Sequence, residues 1–183
     1  MSDPPRVPEA DLSSVRTVPV GTRSHKVNAA LLATPAGHDR SFDAFLASLP
    51  DLLAARDLRT AIQAIAAAAR ARRGVIVLLG GHVIKTGMGP LLVALLRRGA
   101  ITHVAMNGAA AIHDFELAAF GGTSEDVAAG LKDGTFGMAE ETGREMNAAI
   151  ARGHAEERGL GEALARWLDE RPEVPGRAHS VLL

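Results

Sequence analysis

Between Gly74 and Gly108 the chain spells out one strand–helix–strand unit, and no other stretch limits the fold as tightly. Val75-Ile-Val-Leu-Leu79 is a β-branched and aliphatic run that ends on paired glycines, Gly80 and Gly81. A short uncharged run of this kind, bounded by glycine, reads as a strand buried on both faces. Pro90 suits a first helical turn, where a missing N–H is no loss, and Leu91-Leu-Val-Ala-Leu-Leu96 is apolar all round, so that helix is expected to be deeply buried. Gly99 stops it. Ile101-Thr-His-Val-Ala-Met106 then reads as a second strand, closed by Asn107-Gly108. A helix between two strands carries the chain back to the starting end, so the strands run parallel and the crossover is expected to be right-handed. The fold class is therefore α/β, built on a parallel sheet.

The flanks are helical or irregular. Residues 1–40 hold Pro4, Pro5, Pro8, Pro19 and Pro35 between short apolar pieces, which reads as an extended N-terminal arm laid over a neighbour. Ser41 is placed to cap a helix carrying Phe42, Phe45, Leu46 and Leu49, Pro50 allows a new helical start, and Asp57 is placed to cap a further helix running to about Arg73, with Leu58, Ile62, Ile65 and Ala69 on one face. Beyond the second strand, helices are expected near 109–120, 124–132, 138–158 and 161–170, separated by Gly121-Gly122, Gly134, Gly137 and Gly159. Residues 41–183 thus read as a single α/β nucleotide-binding-like domain. Two strands are too few for a free-standing parallel sheet. Either further strands lie in residues 15–30, with Val15–Val18 one candidate, or the domain is incomplete at its C-terminus; the ending His179-Ser-Val-Leu-Leu183 favours incompleteness.

Composition removes several function classes. Twenty Lys and Arg against 21 Asp and Glu give a net charge of −1 over 183 residues, so neither a nucleic-acid partner nor an anionic membrane surface is expected. With no tyrosine and one tryptophan, stacking platforms for single strands are missing as well. The absence of cysteine excludes disulfides and a thiol nucleophile. No apolar run approaches the ~20 residues of a membrane span. A cytoplasmic setting is expected.

Two turns carry the candidate chemistry. In the first, Gly80, Gly81 and His82 lie between strand and helix, where bare backbone amides can approach an anionic ligand. Lys85 and Thr86 follow, but Ile84 stands where a P-loop places glycine before its lysine, and a strict G-x-G-x-x-G is absent. The alternative reading is a glycine turn needed only for packing. In the second, Asn107, Gly108 and Ala109 sit just past the end of the second strand, where open α/β sheets bind ligands. His113, Asp114 and Glu116 follow within one helical turn. Their spacing is poor for a metal, and no metal site is expected; acid–base work by His113 and Asp114 or polar contact to a nucleotide through Glu116 fits better. A solvated helix face is the alternative. Gly121-Gly-Thr-Ser-Glu-Asp126 reads as an ordinary N-cap, from Thr123 or Ser124, in a position to line the same cleft. His103 reads as a core residue, and His25, His38, His154 and His179 as surface residues.

Taken together, Val75-Ile-Val-Leu-Leu-Gly-Gly81, the buried helix, and His103-Val-Ala-Met-Asn-Gly-Ala-Ala-Ala-Ile-His-Asp-Phe-Glu116 resemble the deoxyhypusine synthase family. The similarity continues through Gly134-Thr-Phe-Gly-Met-Ala-Glu-Glu-Thr-Gly-Arg-Glu-Met-Asn147 and spans about residues 74–150. The resemblance implies a Rossmann-like parallel sheet with helices on both faces, NAD as cofactor, and a homo-oligomer (dimer or tetramer). It implies amine or polyamine chemistry, in which an aminobutyl group is transferred from spermidine. Gly81 and His82 would approach the cofactor. Asn107, Gly108 and Ala109 take the place of the family's Thr-Ala-Gly segment, and His113 and Asp114 that of its acidic pair. The chain departs in having Gly-Gly-His-Val where synthases have a Thr-Ser-Asn turn and His-Asp-Phe where they have Glu-Glu-Asp. The family's catalytic lysine belongs to a C-terminal half that this sequence does not include. The rival expectations are a non-catalytic scaffold and a divergent P-loop phosphotransferase at Lys85-Thr86.

Overall fold

The computed structural model describes residues 9–35 and 37–183. The chain divides into two compact units, one running through Ala61 and the other from Ile62 to Leu183.

In the first unit, residues 9–40 form no strand among the described positions, only 3₁₀ turns at Val20–Thr22 and Ala29–Leu31. Val15–Val18 is therefore not a third strand, and Pro4, Pro5 and Pro8 lie outside the described residues. Helix α1 (Phe42–Ser48) is capped as its sequence suggests, the Ser41 side chain accepting from the Ala44 amide. Helix α2 (Leu53–Arg70), whose residues from Ile62 onward belong to the second unit, starts ahead of Asp57, which sits inside it and does not cap it. Arg59 closes the end of α1 by donating to the Leu49 and Pro50 carbonyls and to the Leu46 carbonyl, which also accepts from the Leu49 amide.

The second unit holds the expected β-α-β core. Strand β1 (Ile76–Leu79) pairs in parallel with β2 (His103–Met106), Ile76 opposite His103 and Leu79 opposite Met106. Between them run a short turn α3 (Gly81–Val83), one π-helical turn over Ile84–Met88, and α4 (Gly89–Arg97), with Pro90 in its first turn. One sheet face, from Val75, Val77, Leu79, Val104 and Met106, packs on Ile84, Leu92, Ile101 and Ala110.

The other face is bare: Ile76 is 61% and Leu78 78% exposed. This corrects the expectation of a strand buried on both sides. Helix α4 and the following helix α5 (Gly108–Phe120) both pack on the Val77 side, so period-two alternation turns Ile76 and Leu78 away from them. His103 is exposed rather than a core residue for the same reason, being the register partner of Ile76. Helix α4 also buries less than its all-apolar sequence implies; Leu92 and Val93 are inside while Leu91 is 60% exposed.

A second apolar cluster joins α5 to α7 (Glu140–Ala155) and α8 (Leu160–Asp169), with α6 (Val127–Asp133) between α5 and α7 in sequence. Phe115, Leu164 and Leu168 have no exposed surface, and the Phe115 and Trp167 rings lie 4.8 Å apart. Gly153 lets α7 approach α8, since a side chain there would run into the Ala163 methyl. No described helix is long and apolar enough to cross a membrane.

At the α7–α8 surface, Arg152 and Arg166 donate to Glu170 and hold its carboxyl at about 2, with the Arg152 hydrogen bonds the larger cause. The folded value lies below the ordinary glutamate range, so this contribution to stability is full above that range and is lost as pH falls through about 2. Glu170→Gln should therefore lower the thermal midpoint at neutral pH and converge with the parent near pH 2. An equal deficit at both pH values would contradict the assignment.

Candidate functional site

At the carboxyl ends of the two parallel strands, two glycine-bearing turns face each other. The first follows Leu79 and contains Gly80 and Gly81. The second follows Met106, where Asn107 caps α5: its side-chain oxygen accepts from the Ala110 amide at 2.9 Å and its carbonyl from Ala111 at 3.1 Å. That leaves the Gly108 and Ala109 amides with no acceptor inside the helix. Both residues are exposed, and a side chain built at Gly108 would meet nothing within 4 Å. A Cβ on Gly80 would sit 3.4 Å from the Asn107 amide nitrogen, so the two turns are in direct apposition.

Gly81 carries the tightest constraint. A Cβ there would lie 2.8 Å from Cδ2 of His113 and 3.3 Å from the methyl and carbonyl carbon of Ala109. Contacts under 3 Å are not tolerated between packed groups, so only glycine lets the His113 ring rest against this turn.

His113 is the end of a hydrogen-bonded chain. Its Nδ1 is 2.7 Å from the Thr123 hydroxyl, which donates to Glu116 Oε2 at 2.5 Å, while the Thr142 hydroxyl donates to Glu116 Oε1 at 2.9 Å. His113 and Glu116 share a face because three residues bring the helix nearly full circle. Thr123 reaches in from the loop after α5 and Thr142 from the first turns of α7. The site therefore depends on packing between α5 and α7, which is fixed by the Phe115 cluster.

Asp114 does not join this group. One residue along α5 turns the chain by about 100°, so its carboxylate points the other way, into the C-terminal segment. There it is 2% exposed and accepts from Ser180 Oγ at 2.6 Å, the Val181 amide at 2.9 Å and the Leu182 amide at 3.1 Å. The expected catalytic pair of His113 and Asp114 is split between two sides of the helix. Asp114 instead borders an apolar cavity of about 410 Å³ lined by Pro90, Leu117, Pro175 and His179.

The remaining candidates divide. His82 is exposed in the short α3 turn beside Gly81. Lys85 is exposed on the π-helical turn and makes no ion pair among the described residues. The Thr86 hydroxyl is turned back onto the His82 carbonyl at 2.7 Å, an orientation unlike a magnesium-binding P-loop hydroxyl. Thr123 is not the N-cap of α6; that role belongs to Asp126, which accepts from the Ala129 amide. Thr142 carried no signal in the sequence. Thr123 did, as part of the Gly121–Asp126 stretch expected beside the same cleft, although its role as the donor to Glu116 did not show.

No family model, curated protein or solved structure matches the chain.

Proposed function

We propose that the carboxyl ends of β1 and β2 bind NAD in a Rossmann-like, deoxyhypusine-synthase-like protein that oxidises an amine or polyamine, with aminobutyl transfer as the fullest form of that chemistry. The observation that carries the reading is the apposition of Gly80-Gly81 and Asn107-Gly108 at one sheet edge. Three of these four positions lack a side chain, and the α5 amides beside them have no helical acceptor. A dinucleotide pyrophosphate needs that combination of close backbone approach and unused N–H groups.

Gly80, Gly81, His82, Gly108 and Ala109 would hold the cofactor's phosphates, while Asn107 takes the Ala110 amide and leaves those of Gly108 and Ala109 for the ligand. When bound, NAD supplies the acceptor for a C–H hydrogen and its electron pair. His113 takes the proton that the amine nitrogen releases as its C–N bond becomes C=N, so that atoms and electrons balance. Glu116 belongs to the support of His113 and not to the cofactor's first contacts.

The bare sheet face, with Ile76 and Leu78 exposed, favours assembly as a homo-oligomer in which a second copy supplies the cover that a Rossmann-like sheet has on both faces. The same observation favours a second reading, a non-catalytic module whose β-α-β unit only packs an oligomer.

Titration of NAD into ¹⁵N-labelled protein, followed through amide signals, separates the two. Saturable shifts at residues 80–82 and 107–110 support the cofactor site. Unchanged spectra at millimolar NAD leave only the scaffold.

A further inference from the structure

The hydroxyl of Thr123 carries one proton, and the geometry decides where it lies. Thr123 Oγ1 is 2.5 Å from Glu116 Oε2 and 2.7 Å from His113 Nδ1. A carboxylate accepts hydrogen bonds and has none to donate, so the proton between Thr123 and Glu116 must come from the threonine. With that proton committed, Thr123 can offer His113 only a lone pair. Nδ1 of the ring is then the donor. Thr142 donates to the other carboxylate oxygen, which keeps both Glu116 oxygens in accepting roles.

We propose that Glu116, acting through Thr123, holds neutral His113 as the Nδ1–H tautomer and leaves Nε2 as a proton acceptor facing the Gly81 turn. In a neutral imidazole the hydrogen bond made by one nitrogen decides which nitrogen keeps the proton. Cδ2, bonded to Nε2, is the ring atom set against Gly81, so the accepting edge lies toward the two glycine turns. Nε2 has no hydrogen-bond partner among the described residues and is not sealed from solvent. Glu116, Thr123 and Thr142 are positioning residues in this scheme; His113 is the group that touches substrate.

The functional importance of this tautomer rests on the NAD-dependent reading above, but its test does not. Two-bond ¹H–¹⁵N correlation of the histidine rings, in mildly alkaline buffer and without cofactor, reports the tautomer of each ring directly. His113→Gln identifies the signal among the seven histidines. The expected pattern is a protonated Nδ1 and an unprotonated Nε2 for His113. Thr123→Val should move the proton to Nε2 or mix the two forms, while Thr123→Ser, which keeps the hydroxyl, should restore the parent pattern. A folded serine variant guards against reading a general loss of structure as loss of the relay. An Nε2–H ring in the parent, or a Thr123→Val spectrum identical to the parent's, would overturn the proposal. NAD binding together with an Nε2–H ring would refute the relay alone. An Nδ1–H ring in a protein that ignores NAD would refute the cofactor reading alone.

Discussion

Asp114→Ala lowers the stability of the protein by about 4 kcal/mol, since removing a buried charged acceptor leaves each of its donors unpaired at about 1–3 kcal/mol apiece. Those donors are the Ser180 hydroxyl and the Val181 and Leu182 amides, and Ser180 is itself buried. The loss should be local first. Val181 packs on the Ile84 cluster and Leu182 on the Phe115 cluster, so the tail bridges the two cores and Asp114 is its clasp. Amide exchange at Val181 and Leu182 should accelerate together with the fall in urea midpoint. Asp114→Asn retains one accepting oxygen but presents an amide to the remaining donors, and should give about half the effect. A deficit under about 1 kcal/mol for the alanine variant, within the ordinary range of surface substitutions, would remove this role.

The second large effect is expected at Gly81. Gly81→Val puts a branched carbon where His113 and Ala109 already lie, so the ring must leave its place against the turn. The helical position itself tolerates valine at well under about 1 kcal/mol of intrinsic propensity. Displacing the ring and pressing on the Ala109 backbone costs about 1–3 kcal/mol of stability as overpacking, and the affinity of the folded variant for NAD falls by about a hundredfold, or about 2.7 kcal/mol. Calorimetric titration of parent and variant gives both constants. Equal affinity in the two proteins would show that the Gly81 turn does not border the cofactor.

Much of the architecture was legible wherever the local signal and the tertiary arrangement coincide. The runs at 75–79 and 101–106 contain the paired strands Ile76–Leu79 and His103–Met106, Pro90 lies in the first turn of α4, and Ser41 caps α1. The sheet's exposed side was not legible. An uninterrupted aliphatic strand such as Ile76–Leu79 carries the same sequence whether helices cover one face or two; which face stays bare depends on where α4 and α5 land. His103 followed that error. Asp57 was misassigned because α2 begins four residues earlier, at Leu53, and an aspartate inside a helix looks locally like one at its start.

The site shows the same division. Gly80, Gly81, Asn107 and Gly108 were visible because glycine and asparagine at strand ends have a backbone meaning. His113 and Glu116 were visible as a pair three apart on a helix. Adjacent Asp114 belongs to a different environment, since neighbouring helical residues diverge by about 100° and contiguity in sequence says little about shared chemistry. Thr142 enters only through the packing of α7 beside α5, a contact between residues distant in the chain, whereas Thr123 stands in the loop just after α5.

The NAD titration, read residue by residue in amide spectra of the full chain, tests the central claim most directly. The account expects saturable shifts at residues 80–82 and 107–110, with the His113 ring moving in step. Perturbation centred instead on the groove of about 170 Å³ between Arg152 and Trp167, or on the cavity bordered by Pro90 and Pro175, would place the ligand elsewhere and contradict it. A spectrum indifferent to millimolar NAD would contradict it as well.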